Sequence, residues 1–253
     1  ANLQRAVELG VADRIETSLS AAVRDADMVV LATPVGSMAD ILAAIAPYLA
    51  RDAVVTDVGS VKGTIAVAAR AALGEKLTGF VPGHPIAGTE RTGVEASFSS
   101  LFVGRRVVLT PLPETSAEAM ARVRAMWQAA GAEVVSMSVE HHDAVLAATS
   151  HLPHLLAYAL VDMLARLDDS REIFAYAAGG FRDFTRIASS DPVMWRDISL
   201  ANRDAIVSML KKYRAEVDGL IAAVAAGDGG KLETLFARAK AARDALVTND
   251  QKQ

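Results

Sequence analysis

"AVVTDVGSVKGTIAVAARAAL" occupies residues 53–73. Val54, Val55 and Thr56 are β-branched, and such side chains favour a pleated strand over a helix. Gly59 closes that run, and the residues from Val61 onward read as a helix. A strand, a turn of small residues and a helix in so short a span make half of a βαβ unit. The flanking sequence should therefore repeat the alternation.

It does. "DMVVLATP" (27–34) is a buried strand stopped by Pro34, and "SMADILAAIAPYL" (37–49) spaces Met38, Ile41, Leu42 and Ile45 as a helix does. "LTGFVPG" (77–83), "RRVVLTP" (105–111) and "AEVVSMS" (132–138) read as further strands. Between the last two lies a helix, "SAEAMARVRAMWQAAG" (116–131), with Ser116 or Thr115 as N-cap and Gly131 as its stop. The opening, "ANLQRAVELGVADRI" (1–15), reads as a helix leading into a short strand. Residues 1–138 are thus predicted to form an α/β domain with a largely parallel sheet. From residue 139 the pattern changes. "VEHHDAVLAATSHLPHLLAYALVDMLARL" (139–167) is long and helical, with a kink expected at Pro153. The rest reads as helix broken at "GDGG" (227–230). Residues 139–253 are expected to be all-helical, and their long apolar helices suggest that a partner chain covers some of them.

Of the 253 residues, 52 % are hydrophobic and 22 % charged, so a sizeable core is available and disorder is not expected. The net charge of −4 argues against a nucleic-acid surface. No run of about 18 uncharged apolar residues is read, so no membrane span is expected, and no signal-peptide pattern opens the chain. There is no cysteine, hence no disulfide or thiolate chemistry; a reducing cytoplasm is compatible.

In open α/β sheets ligands sit at the carboxyl ends of the strands. Three strands here end in small and polar residues: "ATPVGS" (32–37), "TDVGSVKG" (56–63) and "PGHPIAGTE" (82–90). Turn chemistry alone would explain any one of them, but three together favour a site. His84 could accept a proton from a hydroxyl, or simply bond a loop carbonyl. Ser60 could orient a substrate hydroxyl, or cap the helix at Val61. "SHLPH" (150–154) sets His151 and His154 three apart, so both can face one way, but further metal ligands are wanting. "EHHD" (140–143) reads as an exposed first turn, and no metal site is expected. In "GGFRDFTRIASSDPVMWRD" (179–197), Arg186 could grip a carboxylate with its planar fork or tie to Asp183. Asp191 and Pro192 read as N-cap and first residue of a helix, and Trp195 reads as core.

In this order "TDVGSVKG", "GHPIAGTE", "SHLPH" and "GGFRDFTRIASSDPVMWRDI" resemble the prephenate and arogenate dehydrogenases of tyrosine biosynthesis. The resemblance runs from about Asp27 into the C-terminal helices. It implies a Rossmann-type dinucleotide-binding domain, followed by an all-α domain that intertwines with a second copy into a homodimer. It implies oxidative decarboxylation of prephenate to 4-hydroxyphenylpyruvate, of arogenate to tyrosine, or both, with NAD or NADP, in the cytoplasm. His84 matches the family's catalytic histidine, and Ser60 a serine that positions hydroxyl and nicotinamide. Arg186 matches the substrate-carboxylate arginine, His154 a histidine near the substrate side chain and Glu90 an acidic residue at the site entrance. Ser150 and Trp195 join this substrate-binding set. Cofactor contacts are expected from Thr33, Pro34, Val35, Val58, Gly59 and Ser60. Any feedback by tyrosine would act at the active site.

The G-x-G-x-x-G turn of a dinucleotide-binding fold is not among these residues, and the expectation is that the sequence starts inside the domain. That gap also leaves two alternatives: another hydroxyacid dehydrogenase of the same two-domain plan, or a non-catalytic aromatic-ligand sensor.

Overall fold

A computed structural model describes residues 2–88 and 93–250. The described residues up to Ile206 form one compact unit, and those from Val207 form a second.

The first unit opens with helices α1 (Asn2–Glu8) and α2 (Leu19–Val23), joined by irregular chain rather than the expected short strand. Strand β1 (Met28–Leu31) leads to α3 (Met38–Ile45), β2 (Val54–Asp57) to α4 (Gly63–Leu73), and β3 (Phe80–Val81) closes a three-stranded parallel sheet of order β1-β2-β3. Neighbouring strand residues face opposite sides of that sheet. Val55 and Phe80 pack with Leu42 and Ile45 of α3 and Ala69 and Leu73 of α4. Val54 and Val81 pack with Ala119, Val123 and Trp127 of α5 (Ala117–Ala129). Helices thus cover both faces, and continuous apolar strands follow from burial on both sides. Ser116 caps α5 by accepting from Ala119 N, and Gly131 takes φ 83° just past its end.

After β3 the chain changes sheets. Pro82 interrupts the pairing with β2. Gly83–Pro85 then forms β4, antiparallel to β5 (Arg106–Leu109), which pairs in parallel with β6 (Glu133–Ser136). His84 lies opposite Val108 in this ladder. The expected single sheet is therefore two sheets, one of them mixed, and His84 stands on a short strand rather than in a loop.

Residues 139–165 form one continuous helical run: α6 (Val139–Leu146), a π-turn at Ala147–His151 and α7 (Leu152–Ala165). Pro153 has no N–H for the helical ladder, and the widened turn stands immediately before it, where a kink was expected. By length and hydropathy this run could cross a membrane, although no span was expected from the sequence. It nevertheless contains His142 and His151, which are hydrogen-bonded to other parts of the same unit. Helices α8 (Ser170–Ala175), α9 (Gly179–Thr185) and α10 (Pro192–Ala201) follow, and Asp191 caps α10 through Met194 N as expected. Helix α11 (Arg203–Ala225) leads into the second unit, which ends with α12 (Gly229–Asp250) after a turn with Gly227 at φ 65°. Asp228 accepts from Lys231 N at the start of α12. The break at 227–230 and the lack of strands after residue 138 agree with the sequence reading among the described residues.

Candidate active site

The site begins at the end of β2. Asp57 is fully buried, and its Oδ2 accepts from Gly59 N at 2.8 Å while its Oδ1 accepts from Gly83 N at 3.2 Å. The equally buried Lys62 forms an ion pair with Asp57 and donates to the Gly83 carbonyl at 2.6 Å. The loop 57–62 and β4 are therefore stapled together through one carboxylate and one ammonium. Burial pulls Lys62 below its ordinary range, and Asp57 opposes that pull. A Cβ at Gly59 would stand 2.7 Å from Ile65 Cδ1 and 3.0 Å from Asp57 Oδ2, so a side chain there would require these groups to shift.

His84, 9 % exposed, sits next to this staple. Its Nδ1 is 2.9 Å from His142 Nε2, and His142 Nδ1 is 2.8 Å from Asp143 Oδ1. An ionised carboxylate only accepts, so His142 carries its proton on Nδ1 and presents Nε2 as an acceptor. His84 must then hold its proton on Nδ1, which leaves Nε2 with a free lone pair. Asp143 also accepts from Lys62 N and Gly63 N, both at 2.8 Å, and so caps α4 from a different helix. Burial raises the Asp143 carboxyl, but the bonds from His142, Lys62 N and Gly63 N outweigh it and hold the group below the ordinary carboxylate range. Burial, then the Lys62 ammonium, His142 and His151, keep His84 well below the usual histidine range. His84 is thus neutral near pH 7.

This corrects the reading of "EHHD" as an exposed turn. Glu140 and His141 are exposed, but His142 is fully buried and Asp143 is partly buried. Asp57, Lys62, His142 and Asp143 are site members that the sequence reading missed.

The helical run supplies a second cluster. His151 is 1 % exposed, and its Nδ1 lies 3.1 Å from Asn202 Nδ2, which also donates to the Asp143 carbonyl at 2.8 Å. The amide nitrogen has only protons to offer, so His151 Nδ1 accepts and its proton is on Nε2, which has no partner. Burial lowers this histidine to about 4. His154 donates Nδ1–H to the Ser150 carbonyl at 2.8 Å and stacks on Trp195, with ring centroids 3.7 Å apart and planes 20° from parallel. Burial, opposed by the Ser150 bond, lowers its pKa.

Trp195 belongs to a core cluster with Val61 and Ile198, against which Val35 and Tyr158 pack. It is core, as read, and also the platform for His154. Through this cluster the turn after β1 and the loop after β2 meet the helical segment. Thr33 has a buried hydroxyl without a partner; Pro34 accepts from Ser37; Val58 N donates to Leu31 O. Ser60 is half-buried between Gly59 and Val61. Arg186 opens a short 3-10 turn (Arg186–Ser189) that packs on α7, the helix carrying His154. Tyr158 ties that helix to the Ser190 carbonyl at 2.6 Å. Glu90 lies outside the described residues.

Comparison with known proteins adds to this geometry. The profile of the prephenate dehydrogenase nucleotide-binding domain matches residues 1–136, and that of the prephenate dehydrogenase dimerization domain matches residues 138–238. The chain belongs to the prephenate dehydrogenase family. Its relatives include the cyclohexadienyl dehydrogenase of Zymomonas mobilis, 40 % identical over 97 % of this chain and 84 % of the relative. Among solved structures, A. aeolicus prephenate dehydrogenase in complex with hydroxyphenyl propionate and NAD+ is 38 % identical, with a TM-score of 0.90 over 96 % of this chain and 85 % of that one. Synechocystis arogenate dehydrogenase is 30 % identical, with a TM-score of 0.81 over 96 % and 87 %. For a member of this family, the nucleotide-binding match covers the two-sheet α/β part with Lys62 and His84. The dimerization match begins at the helix that carries His142 and Asp143.

Proposed function

We propose that the chain catalyses the oxidative decarboxylation of prephenate, arogenate or both, linked to NAD or NADP, in the branch of metabolism that makes tyrosine. One observation carries this reading: a buried, neutral imidazole at the end of the β3–β4 segment, with one ring nitrogen engaged and the other left as an acceptor.

The residues at the ends of β1 and β2 fit a dinucleotide. The Thr33 hydroxyl is buried without a partner at the carboxyl end of β1, where open α/β sheets take ligands. Thr33, Pro34, Val35, Val58, Gly59 and Ser60 would hold the cofactor. When bound, a nicotinamide dinucleotide supplies the acceptor for the hydride released by the carbinol carbon. The protein's own part is positional and acid–base. His84 Nε2 takes the proton of the ring hydroxyl as the hydride and the carboxyl group leave, and returns it to the phenolic oxygen of the aromatic product. Ser60 orients that hydroxyl. Arg186 holds the ring carboxylate through two parallel N–H bonds, and the family resemblance assigns Glu90 to the substrate-binding set. His154, held flat on Trp195 and fixed by Ser150, faces the substrate side chain. Loss of CO2 with aromatisation supplies driving force, so orientation is the larger task.

The division of labour follows: residues 1–138 hold the dinucleotide, and residues 139–253 hold the substrate and make a homodimer. The dimerization-domain match and the exposed Leu200, Ile221, Val224 and Phe236 support the homodimer. A cytoplasmic location fits a chain without cysteine. Tyrosine shares the ring and carboxylate chemistry of the substrates, so feedback by it would act competitively at this pocket.

The test is the absorbance of reduced nicotinamide on mixing the chain with prephenate or arogenate and either NAD or NADP. A rise in any pairing supports the reading and identifies substrate and cofactor. No rise in all four overturns it.

A further inference from the structure

We propose that His142 and Asp143 are positioning residues for the reaction: they fix His84 in the tautomer that leaves Nε2 free, and the Asp143 carboxylate, bridged by His142, compensates the positive charge His84 acquires with the substrate proton. This rests on the dehydrogenase reading above.

The geometry is a chain of three groups. Asp143 receives Nδ1–H of His142, and His142 Nε2 receives Nδ1–H of His84. Each link is set by the one before it, because the carboxylate can only accept. Asp143 is itself held by several partners. Two backbone amides at the start of α4 hold its oxygens, and Asn202 holds its carbonyl. A carboxylate needed only to cap α4 would not require a fully buried imidazole beside it. His142 has no solvent exposure, and both its ring nitrogens are spent on this chain.

The surroundings show why such a chain is useful. Lys62 and, through it, Asp57 face His84 from the β2–α4 loop. His142 and Asp143 face it from α6, and His151 from the π-turn. Desolvation, the Lys62 ammonium, His142 and His151 all oppose an imidazolium, so a compensating anion is needed. As the substrate O–H bond breaks, its proton forms Nε2–H on His84 and the electron pair stays on oxygen. Nδ1–H remains on His84 and its bond to His142 becomes charge-assisted, with Asp143 as the compensating anion. When the proton returns to the product oxygen, the chain regains its first state. No proton is gained or lost over the cycle.

The experiment uses the full chain with three variants: Asp143→Asn, His142→Gln and His142→Phe. His142→Gln and His142→Phe keep the Asp143 cap on α4, so one folded variant suffices if Asp143→Asn fails to fold. Steady-state kinetics against pH should show kcat lowered by about 10²-fold, KM within about threefold, and the acid limb of kcat moved to lower pH by about one unit in Asp143→Asn. In parallel, ¹⁵N NMR of the cofactor-free protein should show His84 as the Nδ1–H tautomer in the unsubstituted chain and a tautomer mixture in His142→Phe. Unchanged kcat and acid limb in a folded variant would overturn the proposal, as would an Nε2–H tautomer of His84 in the unsubstituted chain. An unsubstituted chain without turnover would sink the dehydrogenase reading instead, and the NMR arm would still decide the tautomer.

Discussion

Lys62→Met removes one charge from the stapled loop and keeps most of the stem's volume. The ammonium is fully buried and serves two acceptors, the Asp57 carboxylate and the Gly83 carbonyl. After the change Asp57 keeps its bonds from Gly59 N and Gly83 N, but its charge stands uncompensated in the interior. Breaking a buried pair by removing one partner destabilises by about 3–5 kcal/mol. For a chain of this size each kcal/mol moves Tm by about 2–4 °C, so a fall of about 10 °C is expected. Removing both charges should be milder than removing one, because a neutral, well-packed replacement of a buried pair is often close to neutral. The double variant Asp57→Asn/Lys62→Met should therefore recover about 2 kcal/mol relative to the sum of the singles. Thermal and urea unfolding followed by circular dichroism at pH 7 measure all four corners of the cycle. A loss below about 1 kcal/mol in Lys62→Met, or strict additivity in the double variant, would refute the reasoning that the pair pins β2 to β4.

Three further outcomes are expected. His84→Asn should lower kcat by about 10²–10⁴-fold with Tm unchanged, and near-normal turnover would remove the imidazole from the chemistry. Arg186→Lys keeps the charge but loses the planar fork, so KM for prephenate or arogenate should rise about tenfold or more; an unchanged KM in steady-state kinetics would assign Arg186 a structural tie instead. His151 gives a pH dependence of stability. Its folded value of about 4 lies below its ordinary 6.5, so between these the unfolded chain binds the extra proton. Its contribution is full above pH 6.5 and falls as pH drops toward 4, by about 3 kcal/mol in all. Urea unfolding at pH 7 and 4.5 should show the drop, and His151→Phe should flatten it; an identical slope in a folded His151→Phe would count against it.

The alternating strand and helix segments were legible because β-branched runs and helical periodicity are local signals. The sheet change at Pro82 was not. Strands of two and three residues are too short to show a period, and β5, the partner of β4, lies more than twenty residues onward in the sequence. Of the candidate site, His84 and Ser60 were singled out because they stood in motifs at expected strand ends, although His84 lies on β4. The site's buried supports were hidden by composition: "EHHD" is polar, and polarity was taken for exposure. Spacing carried a contrary signal. Val139, His142 and Leu146 recur at helical intervals, which puts His142 on the apolar stripe of α6 and Glu140 and His141 off it. Lys62 had a signal too. A cation in the first turn of a helix opposes the helix dipole, and a buried anion such as Asp57 resolves that conflict. Neither signal requires the structure, but both become specific only when the partner across the sheet is known.

The charge balance around His84 connects these supports to the chemistry. Lys62 and Asp57 cancel one another inside the staple. Asp143 adds a second anion, shared between two amides at the start of α4 and the His142 ring. With His84 neutral the group as a whole carries one excess negative charge, and with His84 protonated it carries none. Burial, Lys62, His142 and His151 still hold His84 well below the ordinary histidine range, so the Asp143 charge offsets part of the cost of taking up the substrate proton. Without Asp143 the same step would cost more. The size of the cost therefore depends on Asp143 remaining ionised, although it is two hydrogen bonds away from the nitrogen that reacts. The Asp143→Asn variant would turn the protonated state from neutral to cationic without touching His84. Its acid limb should move further than that of His142→Gln, which leaves the carboxylate charge in place and removes only the bridge.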